Sequence, residues 1–350
     1  QEQALEQGKR PNSLQKYALN RLAQNYLELG DTEKALKLLE PIVKSLRPQS
    51  VVGNPRVSSV PAFLPAKLTY IKALRDKGDL EGAIESAKQE WEERVRKFGT
   101  EEMQTLRAMS LYAEMLFAMK GQHREQALGL LTELTGITGR KVPDTIFHFQ
   151  QLATLADWYS LQDQHDRALP LLHGMIEDLQ QRFGVTHPLT MDTAVQLSVV
   201  CRRAGTAEYA VDPLSQIHGV CLEQFGTMTH PRVYAITREL ARSYFLGGDE
   251  QKAKQLLLEC LAERQQGDLI NGGRQELELL EDLTYCLVSC GEPDLCEQVL
   301  QRRLTILENQ FGFQHNVTQR VAALNVRVLL IQSKFEDANT LLECGYLNPH

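Results

Sequence analysis

Apolar residues return along this chain with a helical period. In Leu19 to Val43, LNRLAQNYLELGDTEKALKLLEPIV, the residues Leu19, Leu22, Ala23 and Tyr26 fall on one face of a helix. Gly30-Asp31 then supplies a turn, and Ala35, Leu39 and Ile42 make the face of a second helix. The segment predicts an antiparallel helix pair. Strand-like alternation bounded by turn residues is scarce elsewhere, so the chain reads as nearly all helix.

The small residue early in the second helix recurs as Ala35, Ala83, Ala127, Ala168, Ala210, Ala253, Cys296 and Ala338, at spacings of 41 to 48 residues. A period of this length is the signature of stacked repeats, and the markers predict eight hairpins. Comparable turns precede several of them: GDTEKA at 30–35, GDLEGA at 78–83, GTAEYA at 205–210 and GDEQKA at 248–253. A small side chain at the marker lets two helices approach closely while neighbouring leucines fill the seam. A second punctuation follows each of four markers by 15 residues: Phe98-Gly99, Phe183-Gly184, Phe225-Gly226 and Phe311-Gly312. The expectation is that Phe closes the apolar seam at the end of the second helix and Gly takes the left-handed geometry that stops it. In FGVTHP, Thr186 or His187 then caps the next helix, whose first turn tolerates Pro188.

The combination of LAQNY at 22–26 with GDTEKA, LADWY at 155–159 with DRA at 166–168, and LARSY at 240–244 with GDEQKA resembles the tetratricopeptide-repeat family. In particular it resembles the longer repeats of about 42 residues found in kinesin light chains. The small residue of the first helix corresponds to Ala23, Ala156, Ser198 and Ala241, and its aromatic to Tyr26, Tyr159 and Tyr244. The likeness covers Ser13 to Cys344, although of the paired asparagines common on kinesin-light-chain first helices only Asn20 is matched. The resemblance implies an all-α fold, a right-handed superhelical solenoid of antiparallel helix pairs with about eight TPR-like hairpins. The expected partition is a first hairpin over 1–45, a loop or linker over 46–66, about seven continuous hairpins over 67–345, and a short tail at 346–350.

Composition adds exclusions. With 43% hydrophobic and 24% charged residues, the 350-residue chain reads as folded and soluble. A formal charge of −7 gives no general argument for nucleic-acid binding. No segment has the roughly 20 apolar residues that cross a bilayer, and the opening QEQALEQGKRPNS lacks a signal-peptide core, which favours a cytoplasmic or nuclear setting. Seven scattered cysteines fit a reducing compartment better than a disulfide framework.

No HExxH, GxxxxGK or GxGxxG motif occurs, so no cofactor and no enzymatic activity are expected. Cys286, Cys290 and Cys296 could suggest a metal site, but Cys296 stands at the small-residue marker, and helix packing is the better account. Gly272-Gly273 reads as a connector before another helix. His123, His148, His165 and His173 form no ligand ladder.

Function then turns on side chains that packing leaves free. Aligned on the marker, the first helices of the C-terminal repeats carry Arg202 and Arg203, Arg238 and Arg242, Glu281 and Tyr285, and Arg320 and Arg327, several of them four or seven residues apart. If these faces join, they make a basic inner groove, with Tyr285 and Phe245 offering apolar contact. An arginine fork suits carboxylates, so the expected partner is another protein, engaged through an acidic or extended peptide segment. Asn20, Gln24 and Asp157 form a more neutral N-terminal face suited to a peptide backbone. The competing account is that these arginines are solvated or tied in internal salt bridges to Glu239 and Glu281. The function read here is a non-enzymatic interaction scaffold or adaptor. The alternatives are a docking platform for a folded protein or for a terminal helix of a larger assembly, and an RNA-binding module. RNA is disfavoured because no basic excess, basic tail or aromatic–basic motif accompanies the arginines.

Overall fold

A computed structural model describes residues 13–45, 64–119, 121–266 and 273–343. The expected tail, most of the expected linker (46–63), and Gly272 of the connector lie outside the described residues. Among the described residues sixteen α-helices follow one another and no strand occurs. They form eight consecutive antiparallel pairs: α1 (Ser13–Glu28) with α2 (Thr32–Ser45), α3 (Leu64–Lys77) with α4 (Leu80–Phe98), α5 (Met103–Ala118) with α6 (Gln122–Lys141), and α7 (Ile146–Ser160) with α8 (His165–Phe183). The series continues with α9 (Pro188–Arg203) and α10 (Val211–Phe225), α11 (Pro231–Leu246) and α12 (Glu250–Gln266), α13 (Arg274–Cys290) and α14 (Pro293–Phe311), and α15 (Asn316–Ile331) and α16 (Phe335–Leu341). The helix α3 begins at Leu64, so the last three residues of the expected linker are helical. The helices fall into two compact units divided between Gln151 and Leu152, within α7.

Seven of the eight markers lie in the second helix of a pair, and all eight are 0–2% exposed. One of them, Ala210, sits in a short 3-10 turn, Ala207–Ala210, that precedes α10. Burial of the small residue is what the close helix approach requires, and the neighbouring leucines, each worth about 2 kcal/mol when fully buried, bind one hairpin to the next. In the first unit Leu19, Ala23, Ala35, Leu39 and Ile42 pack with Ala66 of α3. In the second, Ala168, Leu172 and Ile176 share a core with Met191, Ala194 and Leu197, and Leu257 and Cys260 share another with Leu279, Leu283 and Cys286.

Seven of the eight hairpin turns share one hydrogen-bond pattern. The residue five before the marker has positive φ and donates its N–H three residues back; the next residue donates five back. At Gly30-Asp31 these bonds run to Leu27 and Tyr26, at 3.0 and 2.8 Å, and the same pair of bonds closes the turns at Gly78, Asp163, Gly205, Gly248, Gly291 and Ser333. This is a Schellman ending, which satisfies the last carbonyls of the first helix. The residue after the positive-φ position then opens the second helix: Asp31 and Asp249 each accept from the backbone N–H three residues on, at 3.2 Å. The GD pairs of the sequence are therefore a stop signal and a start signal side by side.

The FG punctuation differs in part from expectation at the phenylalanine. Phe98 and Phe311 are exposed and Phe183 half-buried, whereas Phe225, also half-buried, packs against the apolar core shared by α9, α10 and α11 as expected. Phe183 stacks on His187, Phe225 on His230 and Phe311 on His315, with ring centroids 4.9, 4.3 and 4.8 Å apart. His187 and His315 are the caps: each Nδ1 accepts the N–H of the second residue following, Leu189 and Val317, at 3.2 and 3.4 Å. The glycines all have positive φ, but only Gly226 is left-handed α; Gly99, Gly184 and Gly312 combine φ of 80–92° with ψ of 164–174°, a region essentially reserved for glycine. The odd one, FGTMTHP, has an extra residue, and its Met228 is buried in the core shared by α11 to α15.

Candidate functional site

The second unit brings four of the expected residues to one place. Arg202 at the end of α9, Arg242 and Phe245 of α11 and Tyr285 of α13 line a pocket of about 380 Å³, together with Ala241, Leu246, Leu257, Glu281, Asp282 and Cys286. The common register places them there: Arg202 and Phe245 lie eight residues before their markers, Arg242 and Tyr285 eleven before theirs. Tyr285 is 55% exposed, and Leu246 beside it is exposed as well.

The arginines here are not free cations. Arg202 Nη1 donates to Glu239 at 2.8 Å, and Arg242 donates to Glu239 and to both its own and Arg238's partner, Asp282, at 2.8 to 3.0 Å. Arg238 bonds Asp282 at 2.8 Å and also Glu278, which in turn receives Arg274. The result is an alternating ladder, Arg202–Glu239–Arg242–Asp282–Arg238–Glu278–Arg274, running across three first helices. Its middle members are buried: Arg238, Glu239 and Asp282 all have less than a tenth of their surface exposed. Such pairs are costly to break from one side because the partner is left as an uncompensated buried charge. Burial works to raise the Glu239 pKa, yet Arg202, Ser198 and Arg242 outweigh it and hold the carboxyl below its ordinary range. Glu281 does not join the ladder; it pairs with Arg303 at 3.0 Å.

Arg202 differs from its neighbours. Only its Nη1 is engaged among the described residues, and its side chain is 32% exposed, so Nε and Nη2 keep donors at the pocket rim. The lining on the other side is apolar, with the Tyr285 ring, Phe245, Leu246 and Leu257. Chemically, this is a seat for an apolar side chain next to an anionic group.

The remaining expected residues fall elsewhere. Arg203 pairs with Asp157 at 2.9 Å, both exposed. Arg320 and Arg327 of α15 are exposed and have no ion-pair partner among the described residues. In the first unit Asn20 is buried, with an Oδ1 that accepts no hydrogen bond, and Gln24 is held by Arg21 and Thr69 at 3.4 and 3.5 Å. Apolar residues at the same first-helix ends went unread from the sequence: Leu246, Val288, Leu330 and Ile331 are exposed. The signal that finds them is the register, seven or eight residues before each marker, where Glu28, Asp76, Arg202 and Arg203 stand in other repeats.

Cys286 and Cys296 are buried and unpaired, and burial pushes their thiols up to about 12 and about 11, in keeping with helix packing. Among the described residues no group of three or more His, Cys, Asp or Glu is placed to hold a metal ion, and no helix is long and apolar enough to cross a membrane. Gly273 caps α13 in extended backbone, as a connector would.

No family model and no curated protein matches the chain. Solved structures do. A Podosopora anserina protein of nearly identical TPR-like repeats, named for kinesin light chain, is 20% identical, with a TM-score of 0.52 over 59% of this chain and 96% of that one. BtubC (BKLC) from P. vanneervenii is 16% identical, with a TM-score of 0.53 over 68% and 94%. A signal-transduction ATPase with a tetratricopeptide repeat sensor, from Pyrococcus horikoshii, is 17% identical, with a TM-score of 0.56 over 85% of this chain and 42% of that one. Identities this low speak to fold alone, and the fold they share with this chain is the TPR-like helical repeat.

Proposed function

We propose that this chain is a non-enzymatic scaffold that binds an extended acidic segment of a partner protein on the first-helix face of its second unit. The repeat spacing and the FG and HP punctuation support a kinesin-light-chain-like subtype of the fold. The observation that carries the reading is the pocket, where Arg202 offers unfilled donors beside an apolar seat made by Phe245, Leu246 and Tyr285. An apolar side chain of the ligand fills the seat, and a neighbouring carboxylate meets the Arg202 fork. Arg238 and Arg242 hold the site's frame, and Arg202 and Tyr285 do the contacting.

That division decides the experiment. A labelled 12-residue peptide of Asp and Glu flanking one leucine is titrated by fluorescence anisotropy into the intact chain, into Arg202→Glu and into Tyr285→Ala. Tyr285 is exposed and Arg202 half-buried at the pocket rim, and retained helical circular dichroism in each variant separates lost binding from lost fold. Binding that weakens with salt and falls at least ten-fold in each variant supports the reading. Equal binding by all three proteins contradicts it. A partner recovered from cells that is nuclease-sensitive with a steep salt slope would move the site to the RNA class.

A further inference from the structure

One of the four FG loops departs from the other three. At Phe183, Phe225 and Phe311 the ring stacks on a histidine four or five residues on. The loop after Phe98, between α4 and α5, reads Gly99-Thr100-Glu101-Glu102 and holds no histidine. Phe98 is 40% exposed, and no ring or cation is stacked on it among the described residues. The backbone nevertheless follows the histidine loops. Gly99 has φ 88° and ψ 174°, against 92° and 164° at Gly184 and 80° and 171° at Gly312. Glu102, which opens α5, has φ −70° and ψ 140°, against −65° and 138° at His187 and −70° and 134° at His315.

Matching dihedrals start the Glu102 side chain where the imidazoles of His187 and His315 start. A carboxylate offers no ring face to Phe98, and Glu102 makes neither the cap hydrogen bond of those histidines nor an ion pair among the described residues. The loop therefore keeps the geometry of a stack and carries an anion in place of one of its two rings. Beside it opens a cavity of about 620 Å³, lined by Phe98 and Glu102 together with Met103, Leu106, Lys141 and Val142. Glu101 pairs with Lys141 at 2.7 Å, so the uncompensated charge among the lining groups is that of Glu102. A flat cation suits such a seat. A guanidinium lies on a phenyl face as an imidazole does, and its edge forks onto a carboxylate. The ammonium of lysine is compact, strongly hydrated and without that plane.

We infer that the Phe98–Glu102 loop of the first unit is a docking site for an arginine of a partner protein, its guanidinium stacked on Phe98 and paired with Glu102, and an apolar neighbour resting on Met103, Leu106 and Val142. The partner supplies the plane that His187, His230 and His315 supply from within the chain. This site takes the opposite charge from the Arg202 pocket and does not rest on it.

Methionine methyl groups report on the site. The chain has seven methionines, so carbon-13 labelling of their methyls gives seven NMR signals, and Met103→Leu identifies that of Met103. The intact chain is titrated with the synthetic peptide GSLRLSG. A saturable shift of the Met103 signal is expected, at least three-fold weaker in affinity with lysine in place of the peptide arginine and at least ten-fold weaker with alanine. Phe98→Ala and Glu102→His should each weaken binding at least ten-fold, with retained circular dichroism separating lost binding from lost fold. The second variant is decisive, because it supplies the ring from within, as the other loops do, and closes the seat. Arg202→Glu should leave the titration unchanged. No shift at Met103, equal binding of the arginine and alanine peptides, or binding by Glu102→His as tight as by the wild type overturns the inference.

Discussion

Glu239 is where the candidate site meets the stability of the molecule. It accepts from Ser198, Arg202 and Arg242, at 2.7, 2.8 and 2.8 Å, and is buried. Removing its charge leaves two guanidinium groups short of a counter-ion, so Glu239→Gln should lower the unfolding free energy by roughly 3 kcal/mol in urea titration. The pH dependence has a definite sign. With the folded-state pKa held below the unfolded one, the stabilisation is present above the ordinary carboxylate range and is lost as pH falls through the folded value. The gap between wild type and Glu239→Gln should therefore close in acid. At this scale the sequence was half legible. The marker register names Arg202, Arg242, Phe245 and Tyr285, which do share a pocket, but it cannot tell a free arginine from one tied to the next helix. Arg238 and Asp282 stand 44 residues apart and meet only because consecutive repeats stack. Leu246 and Val288 escaped notice because an apolar residue on a helix reads first as core.

The turns decide how the elements join. Two Schellman endings carry a non-glycine at positive φ: Asp163 at 58° and Ser333 at 60°. Five others use glycine there, so Ser333→Gly should stabilise the chain by about 0.5–1 kcal/mol, read as a higher urea midpoint. The opposite change at a marker is costly. Ala253 is fully buried, and Ala253→Leu forces the α11–α12 pair apart, with an expected loss of about 1–3 kcal/mol. His187→Ala removes both the cap of α9 and the ring on Phe183; about 1 kcal/mol should be lost, with faster amide exchange in the first turn of α9. Hairpin positions were legible because period and small-residue burial are properties of sequence alone. The role of the FG phenylalanines was not, because a stack on a histidine four or five residues on depends on loop geometry that glycine, with its unusual φ and ψ, creates.

For the whole molecule, a net charge of −7 and an arginine ladder are compatible because the ladder nearly balances itself: its seven members alternate in sign, four arginines against three carboxylates. An acidic ligand therefore gains little from long-range attraction and must be recognised at close quarters, by a fork with unfilled donors beside an apolar seat. The repeat fold supplies the surface, and its exposed residues choose the partner. The all-helical repeat could be read from one sequence, since eight markers report the same packing need; the partner could not, since exposed residues obey no such need. The central claim is that Arg202 reads a carboxylate of the partner, and a charge swap tests it most directly. Wild-type chain and Arg202→Glu are each titrated calorimetrically with the acidic leucine peptide and with a version in which the carboxylate beside the leucine is replaced by lysine. The account predicts a reversal of preference, with wild type favouring the acidic peptide and Arg202→Glu the lysine peptide. The same order of preference in both proteins would contradict it.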